Sequence, residues 1–172
     1  LPGTFQLGPV VLQAVQSDIA NATFGLGQAG PVSVSTHALT MNGANIASAT
    51  LGPGGAGDVN VQAATIILTG GGGISAVTDA SGPGGSVSVT ASEQLSISGR
   101  SGRSESFGSF TVVNNPSAIS ASTPIGTGRA GALTVNTPRL TMFDGGVIST
   151  STGGDGPAGS LTVNAGSINL SS

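Results

Sequence analysis

The chain has 172 residues, a formal net charge of -3, only 6% charged and 3% aromatic residues, 30 Gly, 9 Pro, and no Cys, Trp, Tyr or Lys. Four arginines without a lysine leave no phosphate-neutralising patch, so nucleic acid is excluded as a partner. The lack of cysteine removes disulfide frameworks and thiol chemistry together, and no apolar run approaches the roughly 20 residues of a spanning helix. A mean hydropathy of +0.30 with little net charge argues against disorder. Gly does not fall at every third position, which rules out a collagen helix. The chain opens at Leu1 without a secretory leader, which reads as a processed or excised piece.

Along the chain one sentence is rewritten. "NIASATLGPGGAGDVNV" (45–61) returns as "GISAVTDASGPGGSVSV" (73–89) and as "VISTSTGGDGPAGSLTV" (147–163). A Gly precedes an alternating triplet at Gly3 (FQL), Gly30 (VSV), Gly57 (VNV), Gly85 (VSV), Gly131 (LTV) and Gly159 (LTV), at intervals of 27, 27, 28, 46 and 28 residues. Nine residues after the anchor comes a second apolar patch: Leu39-Thr40-Met41, Ile66-Ile67-Leu68, Leu140-Thr141-Met142, Ile168-Asn169-Leu170. A third patch runs from an Ile to a Thr: Ile19 to Thr23, Ile46 to Thr50, Ile74 to Thr78, Ile119 to Thr123, Ile148 to Thr152. Gly, Pro, Asn and Ser, which turn a chain at little cost, fill the gaps.

Alternation with period 2 over three to five residues signals strands, and no 3.6-residue stripe competes with it. Strands this short are unstable alone, whereas a repeat of constant length lets each pair in parallel with its equivalent one unit along. The chain is therefore expected to be all-β: one right-handed parallel β-helix (a β-solenoid) over 1–172, with three short strands per coil. About 5.5 coils at strand spacing give a rod roughly 26 Å long. Odd positions of each triplet point inward as Val/Leu/Ile columns. Outward positions are polar on the first strand (Gln6, Ser33, Asn60, Ser88, Thr134, Thr162) and mostly polar on the second (Gln13, Thr40, Ile67, Ser96, Thr141, Asn169). On the third they are small: Ala20/Ala22, Ala47/Ala49, Ser75/Val77, Ser120/Ser122, Ser149/Ser151. The Thr closing the third strand is in phase with the inward Ile, so an interior or corner hydrogen-bond ladder is expected there. Ice binding would need two adjacent outward Thr columns, which these positions do not show.

The phrase "GTGRAGALTVNTPRLTMFDGGVISTST" (126–152), together with "ASEQLSISGR" (91–100), resembles the shaft repeats of filamentous-haemagglutinin-like exoproteins of the two-partner secretion system. The likeness covers essentially the whole chain. It implies a right-handed β-helix at the outer surface of a Gram-negative-type bacterium, secreted or cell-surface, with an adhesive or structural role. The family's secretion domain carries Asn-Pro-Asn motifs that this chain lacks, so the resemblance places the piece in the shaft.

Polysaccharide lyases and hydrolases also use β-helices and need clustered carboxylates. The acids are Asp18, Asp58, Asp79, Glu93, Glu105, Asp144 and Asp155, and in repeat coordinates no two in adjacent coils share a strand position. A single histidine, His37, builds neither a metal site nor a triad. "GGAGDVN" (54–60) lacks the Asp spacing and nine-residue period of the Gly-rich Ca²⁺ repeat. "NAT" (21–23) matches a glycosylation acceptor, yet Thr23 already belongs to the Thr column. The expectation is a protein without catalysis, metal or cofactor.

The one departure from regularity is "GRSGRSESFGSFTVVNN", a loop insertion at about 99–115 between the second and third strands of its coil. Departures of this kind leave the solenoid, and Arg with aromatic content is typical of contact hot spots. Arg100, Arg103, Glu105, Phe107 and Phe110 are the candidate partner contact, the partner being a host-surface or matrix glycan or protein. A lid folded back over the rod is the competing reading. Neither end of the chain carries a polar cap over its strand edges. The piece is therefore expected to belong to a longer shaft, or to meet other copies of itself axially or laterally. Stacking end to end into filaments is the alternative to an adhesive shaft; a polysaccharide-active enzyme is a distant third.

Overall fold

The computed structural model describes residues 17–79, 81–102, 104–107, 110–113 and 115–172, and of 104–107 and 110–113 only the backbone is considered. The expectations for the FQL triplet, Gln6, Gln13 and Arg103 lie outside the described residues.

Parallel strands stack as a β-solenoid of about five turns, and among the described residues there is no helix. The third patch of each coil forms a five-stranded sheet of β1 (Asp18–Thr23), β4 (Asn45–Thr50), β6 (Gly73–Thr78), β10 (Ala118–Thr123) and β12 (Val147–Thr152). Its register runs Ile19, Ile46, Ile74, Ile119, Ile148 without a slip. The first and second patches form the other sheet from β2 (Val32–Ser35), β3 (Ala38–Asn42), β5 (Val59–Thr69), β7 (Val87–Ser98), β11 (Leu133–Phe143) and β13 (Leu161–Leu170). The insertion supplies β8 (Ser104–Phe107) and β9 (Phe110–Val113), an antiparallel pair.

Three short strands per coil need one refinement. In β5, β7, β11 and β13 the first two patches run on as one strand, and among the described residues only β2 and β3 stay separate. The strand turns a corner by leaving two successive residues outside. Val59, Val61 and Ala63 are buried, Ala64 and Thr65 are not, and burial resumes out of phase at Ile66 and Leu68. β7 carries one residue more, so that Ser92, Glu93 and Gln94 all face out between buried Ala91 and Leu95. The register slips there against both neighbours, from Ala63↔Ala91 to Thr65↔Gln94 and back from Thr90↔Asn136 to Leu95↔Leu140. A bulge absorbs an extra residue in this way without disturbing the next coil.

The two sheets enclose one core, in which Ile46, Ile66, Leu68, Ile74, Leu95, Ile97, Ile119 and Leu133 are fully buried. Each such side chain stabilises the fold by about 1.5–3 kcal/mol relative to exposure. The third-strand Thr is interior, as its phase implies: Thr50, Thr78 and Thr123 are buried. The hydroxyls do not form a ladder with one another. Three of the column's hydroxyls donate instead to a carbonyl of their own following loop: Thr50 to Gly52, Thr78 to Pro83 and Thr152 to Gly154, all at 3.4 Å.

The anchor glycine of each unit has a steric cause. A Cβ on Gly57 would strike the carbonyl oxygen of Gly30, one on Gly85 that of Gly57, and one on Gly131 that of Gly85. Only hydrogen fits where loops follow one another at strand spacing.

Candidate functional site

The insertion leaves the rod at the turn between the second and third patches. That turn is left-handed in successive coils, with positive φ at Gly43 (63°), Gly70 (59°), Gly99 (75°) and Asp144 (49°). In the preceding coil Gly70 is followed by Gly71 and Gly72. After Gly99 the segment 100–116 stands in the place of Gly71, and the coil resumes at Ser117, where the Ala118 amide donates to the Gly72 carbonyl at 3.0 Å.

The insertion is a hairpin stitched from its root. Ser117 N–H donates to the Gly99 carbonyl at 2.9 Å, Ser101 N–H donates to the Asn115 carbonyl at 2.8 Å, and Arg100 pairs antiparallel with Pro116. Pairing continues through Ser104↔Val113, Glu105↔Val112, Ser106↔Thr111 and Phe107↔Phe110. The fully buried Ser117 hydroxyl fastens the root to the rod, accepting from Gly71 N–H at 3.0 Å and donating to the Ser98 carbonyl at 2.6 Å.

Glycines flank the root in both neighbouring coils. A Cβ on Gly71 would lie 2.8 Å from the Ser101 Cβ and 3.1 Å from the Asn115 carbonyl oxygen. A Cβ on Gly145 would lie 2.6 Å from Arg100 Nε and 2.8 Å from its Cζ. The Arg100 guanidinium therefore covers the Gly145 turn of the next coil, with the residue still exposed. Ser117, Gly71 and Gly145 were not singled out from sequence. Their only trace there is the glycine run 70–73 and the "DGG" at 144–146, which read simply as turns.

The backbone places four of the five candidate residues along the hairpin. Phe107 and Phe110 are backbone partners at the far end of the ribbon, Glu105 is paired with Val112 two positions nearer the rod, and Arg100 stands at the root. Arg103 lies outside the described residues.

Elsewhere, carboxylates are used between coils. Asp58 Oδ1 accepts from Ser86 N–H at 2.8 Å, Asp18 Oδ1 from Asn45 Nδ2 at 3.1 Å, and Glu93 Oε2 from the Thr65 hydroxyl at 3.4 Å. His37 is exposed at the corner between β2 and β3. Among the described residues no three His, Cys, Asp or Glu side chains are grouped to hold a metal ion, and no helix is long and apolar enough to cross a membrane.

Fold and hairpin define a β-solenoid repeat protein carrying one lateral ribbon. Compared with protein families, curated proteins and solved structures, the chain matches none.

Proposed function

We propose that this chain is a section of a non-catalytic extracellular β-helical shaft, displayed at the surface of a Gram-negative-type bacterium and serving adhesion or a surface matrix. One observation carries the reading. The core columns pass the hairpin unbroken, with Ile74 still paired in register with Ile119 although the intervening insertion leaves the rod. The rod thus acts as a rigid support and the ribbon as the part free to vary, which is how loops on a stable scaffold acquire contacts. The likeness of the repeats to filamentous-haemagglutinin-like shafts supports the same placement. In this reading the ribbon of Glu105, Phe107 and Phe110 meets a matrix glycan or protein.

The test is to immobilise the purified chain, measure retention on matrix proteins and glycan arrays, and assay acidic polysaccharides for chain cleavage with the same material. Retention that falls when the hairpin is excised, without cleavage, is the expected result. Depolymerisation of any polysaccharide would overturn the reading in favour of an enzyme.

A further inference from the structure

One asparagine of the chain is followed by glycine, in the pair Asn42-Gly43. The turn demands that glycine: Gly43 has a φ of 63°, the left-handed value that recurs at Gly70 and Gly99 in the next two coils. Asn42 closes β3, opposite Thr69 at the end of β5. Such a pair carries its own electrophile and nucleophile, because no side chain on residue 43 shields the backbone nitrogen from the amide carbon of Asn42.

In the folded coil both groups are held. Gly43 N–H donates to the Thr69 carbonyl at 2.9 Å, and the Thr69 hydroxyl donates to the Met41 carbonyl at 3.2 Å. One residue of the next coil thus clasps the chain on both sides of Asn42. The Asn42 side chain lies across the neighbouring turn, where a Cβ on Gly70 would strike its Oδ1. The extended backbone of a strand also keeps ψ of Asn42 far from the value that a five-membered ring through its Cγ requires.

We infer that Asn42-Gly43 is a self-modification site held shut by Thr69, which converts when the turn lifts from the coil beside it. The Gly43 nitrogen gives its proton to water and attacks Asn42 Cγ. The bond from Cγ to Nδ2 breaks, ammonia leaves with a proton, and a succinimide closes between residues 42 and 43. Water then opens the ring at either carbonyl. Opening at Cγ leaves aspartate; opening at the backbone carbonyl leaves isoaspartate, whose main chain runs on through Cβ and Cγ. The balance is one water consumed and one ammonia released, without oxidant or reductant. The isoaspartyl form lengthens the main chain between Met41 and Gly43, so the Gly43 N–H no longer meets the Thr69 carbonyl. Conversion is therefore a one-way record that this coil has opened, and it does not rest on the shaft reading.

The test incubates the full chain and its Thr69→Val variant in mildly alkaline buffer, folded and in denaturing urea. Peptide mass spectrometry follows Asn42, and circular dichroism reports the fold. Thr69→Val removes the hydroxyl and keeps the shape of the side chain. In urea both chains should convert at one rate. The folded parent should convert at least about tenfold more slowly, because its rate follows the open fraction of the coil. The folded variant should convert about two- to tenfold faster than the folded parent, the contribution of one hydrogen bond. A second series on the parent alone, in urea below the global transition, should show conversion rising before the rod unfolds. Equal rates folded and unfolded, or no conversion in urea, overturn the site. A folded variant that matches the parent, or conversion that waits for global unfolding, overturns the clasp at Thr69.

Discussion

The hydroxyl of Ser117 lies 3.0 Å from the amide nitrogen of Gly71, joining the root of the hairpin to the turn of the coil beneath. Because that hydroxyl also donates to the Ser98 carbonyl at 2.6 Å, one buried side chain satisfies two backbone groups. Ser117→Ala leaves both unpaired. The expected cost is about 1–3 kcal/mol, read as a lower urea midpoint with an unchanged far-ultraviolet spectrum. A midpoint equal to that of the parent chain would show that the root is held by its backbone pairs alone.

The glycine columns permit a paired comparison within one column. A Cβ on Gly54 would strike the carbonyl oxygen of Gly27, while a Cβ on Gly27 meets nothing within 4 Å. Gly54→Ala should destabilise by at least about 1–3 kcal/mol, because the obstacle is backbone and cannot rotate away. Gly27→Ala should stay within about 0.5 kcal/mol of the parent. Equal effects of the two substitutions in a denaturant titration would refute the steric account of the repeat's glycines.

Thr123 breaks the pattern of its column. Its Oγ1 is buried without a hydrogen-bond partner, whereas Thr50, Thr78 and Thr152 each reach a loop carbonyl. The loop after Thr123 is longer by one residue: five positions separate it from Gly128, against four between Thr78 and Gly82. Thr123→Val removes a hydroxyl that contributes nothing and keeps the shape, so the thermal midpoint should hold or rise. A fall of several degrees would mean that the hydroxyl is bonded in solution.

The hairpin should be removable. Replacing residues 100–116 by a single Gly restores the Gly-Gly path of the preceding coil, and the register Ile74↔Ile119 already exists. The shortened chain should unfold in one cooperative transition, with the loop-closure term favouring it slightly. Loss of folding would make the ribbon part of the rod rather than a device mounted on it.

Period, strand type and facing were legible in the residues, because a solenoid states each requirement once per coil. Ile46 and Thr50 fall inward and Ala47 and Ala49 outward, as alternation dictates, and repetition of the pattern forces parallel stacking. The location of the insertion was legible for the same reason, as the only interval longer than one coil. Its form was not, since antiparallel pairing of Phe107 with Phe110 depends on local turn geometry that no repeat encodes. Tertiary structure alone decided that the first two patches fuse around a corner. It also decided that β7 hides an extra residue in a bulge at Glu93. In each case the outcome turns on which backbone groups find partners in the neighbouring coil. Alternation along one strand determines which way a side chain faces; what lies against it is determined by the strand stacked above.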